Sequence, residues 1–216
     1  MTVPLPCDCQ GRIALGARQK IAALAEAATW VACGPGLGRS LGLRALVPWL
    51  YASLPKPMVV DADALNALAA RREVLSRPAG PRILTPHPGE FARLLGAGRM
   101  APDQRSAAAV RMAAECGVVV VLKGHRTLIT DGDHRAVNTT GNAGMATGGS
   151  GDVLTGLVAA LACQGLSPYD AARLAVFLHG YAGDLAAARL SQESMIASDL
   201  IRFLPDAFKE YRKRRG

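Results

Sequence analysis

Five consecutive apolar residues, Val118-Val119-Val120-Val121-Leu122, constrain this chain's fold more than any other stretch. A β-branched run with no polar side chain on either face suits a strand covered on both sides. Segments of helix and strand length take turns around it. A helix is expected over 12–28, with Ile13, Leu15, Ile21 and Leu24 as its apolar positions. A strand over 29–33 then enters Gly34-Pro35-Gly36-Leu37-Gly38, and Ser40 offers an N-cap for a helix to about residue 52. Strands at 57–61 and 82–85 enclose a helix at 64–70, and Pro86-His87-Pro88 breaks the second strand before a helix at 90–95. A helix at 103–116 leads into the Val-rich run. Short strands at 126–130 and 135–138 pair through Asp131-Gly132-Asp133, and the rest is helical, at 150–164, 168–190 and 197–210. Such alternation predicts an α/β fold: one domain, 1–216, with a mostly parallel sheet covered on both faces.

Composition narrows the class further. Aromatic residues make up 5% of the 216 positions while half are hydrophobic, which favours helices packed on a sheet over a β-sandwich. The five cysteines are odd in number and form no Cys-x-x-Cys frame, so neither a disulfide scaffold nor a zinc site is indicated. Nothing at the N-terminus resembles a signal peptide, and no run approaches the ~18 apolar residues of a membrane span. A cytoplasmic protein is the expectation. The formal charge of +8 includes the tail Lys209–Arg215, read as a solvated helix end rather than a nucleic-acid grip.

Ligands of parallel α/β sheets bind at the carboxyl ends of the strands, where two glycine loops, Asp61, Thr85, His87 and Lys123 all fall. The first loop, Gly34-x-Gly36-x-Gly38 with Asp61 one strand later, approximates a dinucleotide fingerprint. It has Arg39 where the third glycine is needed, which counts against an oxidoreductase. The second runs from Gly141 to Asp152 and opens an apolar helix at Val153. Its glycines let several N–H groups converge at the positive end of that helix, a place for a phosphate. Asp152 lies in the first helical turn, where the same field favours its ionised form. No Walker lysine follows, so this is no P-loop NTPase.

Asn142-x-Gly144-Met145-Ala146-Thr147-Gly148-Gly149-Ser150-Gly151-Asp152-Val153-Leu154 resembles the anion-hole segment of ribokinase-like enzymes, and more narrowly their NAD(P)H-hydrate dehydratase branch. Segments at 33–38, 60–66, 84–91, 122–127, 178–184 and 197–200 agree in order, covering about residues 30–205. The resemblance implies a ribokinase-like three-layer α/β/α sandwich and a lyase that dehydrates the hydrated form of NADH or NADPH. ADP (or ATP) with Mg²⁺ would phosphorylate the ring hydroxyl, and the phosphate would leave by elimination. By the same resemblance Asp152 is the catalytic base and the N–H groups of Gly149, Ser150 and Gly151 stabilise the transferring phosphate. Gly36, His87 and Asp152 match contacts to the hydrated cofactor. Lys123, Gly124, His125, Arg126, Thr127 and Gly151 match nucleotide contacts. Asn66 and Glu90 would support the pocket, and no residue is assigned to a metal.

Plainer roles stand beside these. His87 can cap the following helix, His125 can be a surface loop residue, and His179 and Asp184 can be structural. Asp61 can end a strand or sit near a metal, His134 reads as surface, and Met145 as packing beneath the loop. The family domain ordinarily starts some tens of residues earlier, with a strand, a Gly-Gly-Ser turn and a helix. The expectation is therefore a sheet short of that strand, with an exposed apolar edge. Two other readings remain: a small-molecule kinase of the same superfamily acting on a vitamin precursor or sugar, and a non-catalytic nucleotide-binding remnant. Family likeness further implies a homo-oligomer, a tetramer.

Overall fold

Alternate side chains of a strand point to opposite faces, and here each set supports its own layer of helices. The computed structural model describes residues 2–214, so Arg215 of the basic tail lies outside the described residues. Among these, six strands form one sheet in chain order: β1 (Val31–Cys33), β2 (Met58–Val60), β3 (Arg82–Leu84), β4 (Val119–Leu122), β5 (Leu128–Thr130) and β6 (Arg135–Val137). The first four are parallel, and β5 and β6 add as the expected antiparallel hairpin. The helices are α1 (Arg18–Glu26), α2 (Leu41–Ser53), α3 (Ala62–Ala69), α4 (Pro88–Leu95), α5 (Pro102–Cys116), α6 (Ser150–Ala162), α7 (Pro168–Leu190) and α8 (Ala197–Lys213).

Val60, Leu84, Val120 and Leu122 face the layer of α2 to α5, packing with Leu46, Leu50, Leu65 and Phe91. Their neighbours Val59, Ile83, Val119 and Val121 face α6, α7 and α8, packing with Leu157, Val158, Ala175 and Leu178. Burying each such aliphatic side chain is worth about 1.5–3 kcal/mol, so the three-layer sandwich follows from the uninterrupted apolar strands. Among the described residues no helix is long and apolar enough to cross a membrane.

Local signals place the helix starts. Ser40 caps α2, its hydroxyl accepting from Leu43 N–H at 3.0 Å. The expected helix over 12–28 is not formed in full, since regular α1 begins only at Arg18. The Asp8 carboxylate accepts from the backbone N–H groups of Gln10 and Arg12 and pairs with the Arg12 side chain, while Cys7 bridges Ile13. These bonds offer residues 7–14 an alternative to the helix.

Two close approaches tie the elements together. Arg82 on β3 is 1% exposed, and its guanidinium donates to the carbonyls of Tyr51, Leu54, Lys56 and Pro81 at 2.6 to 3.1 Å. It thereby bonds carbonyls at the end of α2 that lack a partner within the helix, sharing that of Tyr51 with the Ala79 N–H. Gly34, at the end of β1, has φ of +138°, and a Cβ there would lie 1.7 Å from the Asp61 carbonyl oxygen. Only glycine lets the first loop cross the end of β2 so closely.

Candidate active site

The carboxyl ends of β2, β3 and β4 carry a buried ionic cluster. Asp61, which follows β2 and is 1% exposed, accepts from Lys123 Nζ at 2.7 Å and from Thr155 Oγ1 at 2.8 Å. Lys123 follows β4 and Thr155 lies in α6, so one carboxylate joins two strands to a helix. Glu90 adds a second negative charge 3.8 Å from Lys123 Nζ, and its carboxylate accepts from His87 N–H at 2.8 Å. His87 Nδ1 accepts from the N–H groups of Gly89 and Glu90, so the capping role is realised. Its half-exposed side chain also borders the cleft, so capping and ligand contact are compatible.

The cleft has a volume of about 660 Å³ and runs from this cluster to α7. His87, Lys123, Gly124, His125, Arg126, Thr127, Ser150 and Gly151 all line it. A Cβ on Gly151 would come within 3.3 Å of Lys123 Nζ and 3.6 Å of Asp61 Oδ2, which places the second glycine loop directly against the ionic cluster. Its glycine backbone and the first turn of α6 thus meet the ammonium group, two features that attract anions. Among the described residues the buried Ser150 hydroxyl has no hydrogen-bond partner. Leaving such a hydroxyl unpaired is costly unless something else reaches it.

Three residues expected at the site fall outside the cleft's lining: Gly36, Gly149 and Asp152. Gly149 is the N-cap of α6 with φ of +87°, and Asp152 is an exposed side chain one residue beyond Gly151. Gly36 belongs to the first loop, which Asp63 holds by accepting from Gly38 N–H at 3.0 Å. Asn66 supports that loop in turn, with its Nδ2 3.4 Å from Asp63 Oδ1. His134 is exposed and bonded to Asp131, as expected of a hairpin residue. Met145 packs under the loop, against the Ala186, Met195 and Leu200 cluster.

The sequence places Asp61 at the strand ends but not its pairing with Lys123, and it does not single out Thr155. Asn138, Thr139 and Thr140, which follow β6, also line the cleft, and their polar run after a strand was the available signal. Burial pushes the Cys33 thiol up to about 12, so it stays protonated and offers no nucleophile. Among the described residues no group of three or more His, Cys, Asp or Glu side chains is arranged to hold a metal.

The comparisons with known proteins agree in direction. A family model described as NAD(P)H-hydrate dehydratase matches residues 7–206. A bifunctional NAD(P)H-hydrate repair enzyme of Moorella thermoacetica is 48% identical over 208 residues, covering 95% of this chain and 39% of that protein. An ADP-dependent (S)-NAD(P)H-hydrate dehydratase of Neisseria meningitidis serogroup B is 43% identical over 175 residues, 79% of this chain and 57% of its own length. The chain therefore spans about two fifths of the first relative and rather more than half of the second. Among solved structures, an ADP/ATP-dependent NAD(P)H-hydrate dehydratase from Bacillus subtilis, co-crystallized with ATP and Mg²⁺, superimposes with a TM-score of 0.77 at 33% identity. That match covers 91% of this chain and 70% of the other.

Proposed function

Because the chain belongs to the NAD(P)H-hydrate dehydratase family, we propose that it dehydrates hydrated NADH or NADPH at the expense of ADP or ATP. The observation that carries this reading is the meeting of the glycine loop, its unpartnered Ser150 hydroxyl and Lys123 in one cleft. A ring hydroxyl leaves poorly, so it must first be phosphorylated. The N–H groups of Gly149, Ser150 and Gly151 at the head of α6 would stabilise the charge on the moving phosphoryl group. Asp152, unencumbered at the start of the same helix, would take the proton of the attacking hydroxyl. Phosphate then departs as the neighbouring ring carbon loses a proton to solvent water, which restores the ring double bond. Lys123 to Thr127 would hold the nucleotide, while Gly36 and His87 would border the hydrated cofactor.

Mg²⁺ fits such a site as a passenger of the nucleotide rather than as a resident ion. It keeps several waters and needs only one or two carboxylates besides the substrate phosphates. Asp61 already accepts from Lys123 and Thr155, and Glu90 from the His87 N–H, so Asp152 is the carboxylate left to face the ion's waters. When bound it would neutralise phosphate oxygens. A cytoplasmic location and a tetrameric assembly belong to the same proposal, resting on the family likeness; light scattering would test the assembly.

The direct test incubates the protein with hydrated NADH, Mg²⁺ and either ADP or ATP, and follows the return of reduced-nicotinamide absorbance. Nucleotide-dependent recovery that Asp152→Asn abolishes supports the assignment, and the better nucleotide identifies the donor. Absence of recovery from protein that binds ADP would exclude it for this chain.

A further inference from the structure

The second glycine loop is laid along one face of α7. Thr140 Oγ1 donates to the Phe177 carbonyl at 2.9 Å, and a Cβ on Gly180 would lie 2.3 Å from that hydroxyl. Asp184 accepts from Gly141 N–H at 2.9 Å and from Asn142 Nδ2 at 3.0 Å. These contacts hold the loop where it begins. Where it ends, at the head of α6, the grip comes from His179, 8% exposed, whose Nε2 lies 3.0 Å from the Ser150 carbonyl oxygen.

A carbonyl oxygen only accepts, so Nε2 carries the proton and His179 is the donor. Burial holds the imidazole at about 4, so at neutral pH this donor is uncharged. The Ser150 carbonyl and the Gly151 N–H are two ends of one planar peptide group. A hydrogen bond at the oxygen polarises that group and strengthens the N–H as a donor, by about 10–30% in condensed-phase estimates. Gly151 lines the cleft, and its N–H is among those of the first turn that a helix leaves without an internal partner.

We infer that His179 is a positioning residue for the anion-binding turn: its bond to the Ser150 carbonyl fixes and polarises the peptide whose opposite end is the Gly151 N–H. The inference rests on the dehydratase reading for its kinetic consequence, but its structural part stands independently. A purely architectural histidine would matter only to stability. This one also sets how strongly the first turn of α6 holds a transferring phosphoryl group.

The test compares wild type with His179→Leu, which has no donor, and His179→Gln, which retains an N–H donor of similar reach. Losing one catalytic N–H of this kind costs about 10²–10³ in rate, so weakening rather than removing it is expected to lower kcat about tenfold. The KM for hydrated NADH changes little, and His179→Gln recovers most of the rate, with all three proteins assayed well below their melting temperatures. In ¹⁵N–¹H spectra the Gly151 amide proton shifts upfield in His179→Leu and returns in His179→Gln. A folded His179→Leu protein with wild-type kcat and an unmoved Gly151 resonance would overturn the inference. So would a His179→Gln variant as slow as His179→Leu. Inactive wild type would remove the dehydratase reading alone. ADP affinity by calorimetry then decides the matter: weaker binding in His179→Leu with recovery in His179→Gln supports the role, and equal affinities overturn it.

Discussion

Asp61→Asn should unfold at a markedly lower temperature, and Lys123→Met should cancel part of the damage rather than add to it. The Asp61 carboxylate is 1% exposed and the Lys123 side chain 19% exposed, with 2.7 Å between the charged atoms. At an effective dielectric of about 20 the Coulomb attraction across that distance is about 6 kcal/mol, much of which offsets the desolvation of the two ions. Removing one partner strands the other. Breaking a buried pair costs about 3–5 kcal/mol, and the low end applies here because Glu90 remains 3.8 Å from Lys123. A loss of about 3 kcal/mol lowers Tm by about 6–12 °C in a domain of this length. Differential scanning calorimetry without nucleotide, on both single variants and the double variant, yields the coupling directly. Its expected size is about 2 kcal/mol, and it should survive high salt because the pair is shielded from solvent ions. Additive single effects, with coupling below about 0.5 kcal/mol, would refute the claim that this pair locks the strand ends.

Arg82→Met removes a donor from each of four carbonyls, of which Tyr51 keeps the Ala79 N–H and Pro81 the Met58 N–H, and should cost about 3 kcal/mol, while Arg82→Lys, whose single ammonium reaches fewer of them, should cost less; urea unfolding midpoints measure both. His179 makes the fold sensitive to acid. Burial depresses its pKa from the ordinary 6.5 to about 4, so the folded state binds fewer protons than the unfolded chain. Its contribution is therefore complete above pH 6.5 and is lost as pH falls through about 4, by about 3 kcal/mol at most. His179→Gln should flatten Tm between those pH values; an equal slope in both proteins would assign the acid sensitivity elsewhere. Gly151→Ala places a methyl group 3.3 Å from Lys123 Nζ, which the flexible ammonium can yield to. It should keep wild-type Tm, because Ala suits a helix better than Gly by about 1 kcal/mol, yet bind ADP about tenfold more weakly by calorimetry.

Features of this protein that depend on spacing along the chain were legible before any coordinates. The apolar run at Val118–Leu122 predicted a central strand, Ser40 predicted a helix start, and the glycines before Asp152 predicted a turn into a helix at residue 150. Each is a local signal, in which residue type and period alone determine the backbone's choice. The helix expected over 12–28 starts late, at Arg18, for a local reason as well: the Asp8 carboxylate engages the backbone N–H groups of Gln10 and Arg12.

Other features needed partners that are far apart in sequence. Asp61 meets Lys123 across 62 positions and Thr155 across 94, His179 meets Ser150 across 29, and Arg82 reaches Tyr51 across 31. Nothing in the residues around Asp61 distinguishes a solvated strand end from a buried keystone. That difference arises because parallel strands bring their carboxyl ends together, so groups from separate crossovers meet in one place. The chemistry a residue can perform is written in its side chain; which charge it faces, and whether water reaches it, is settled by packing.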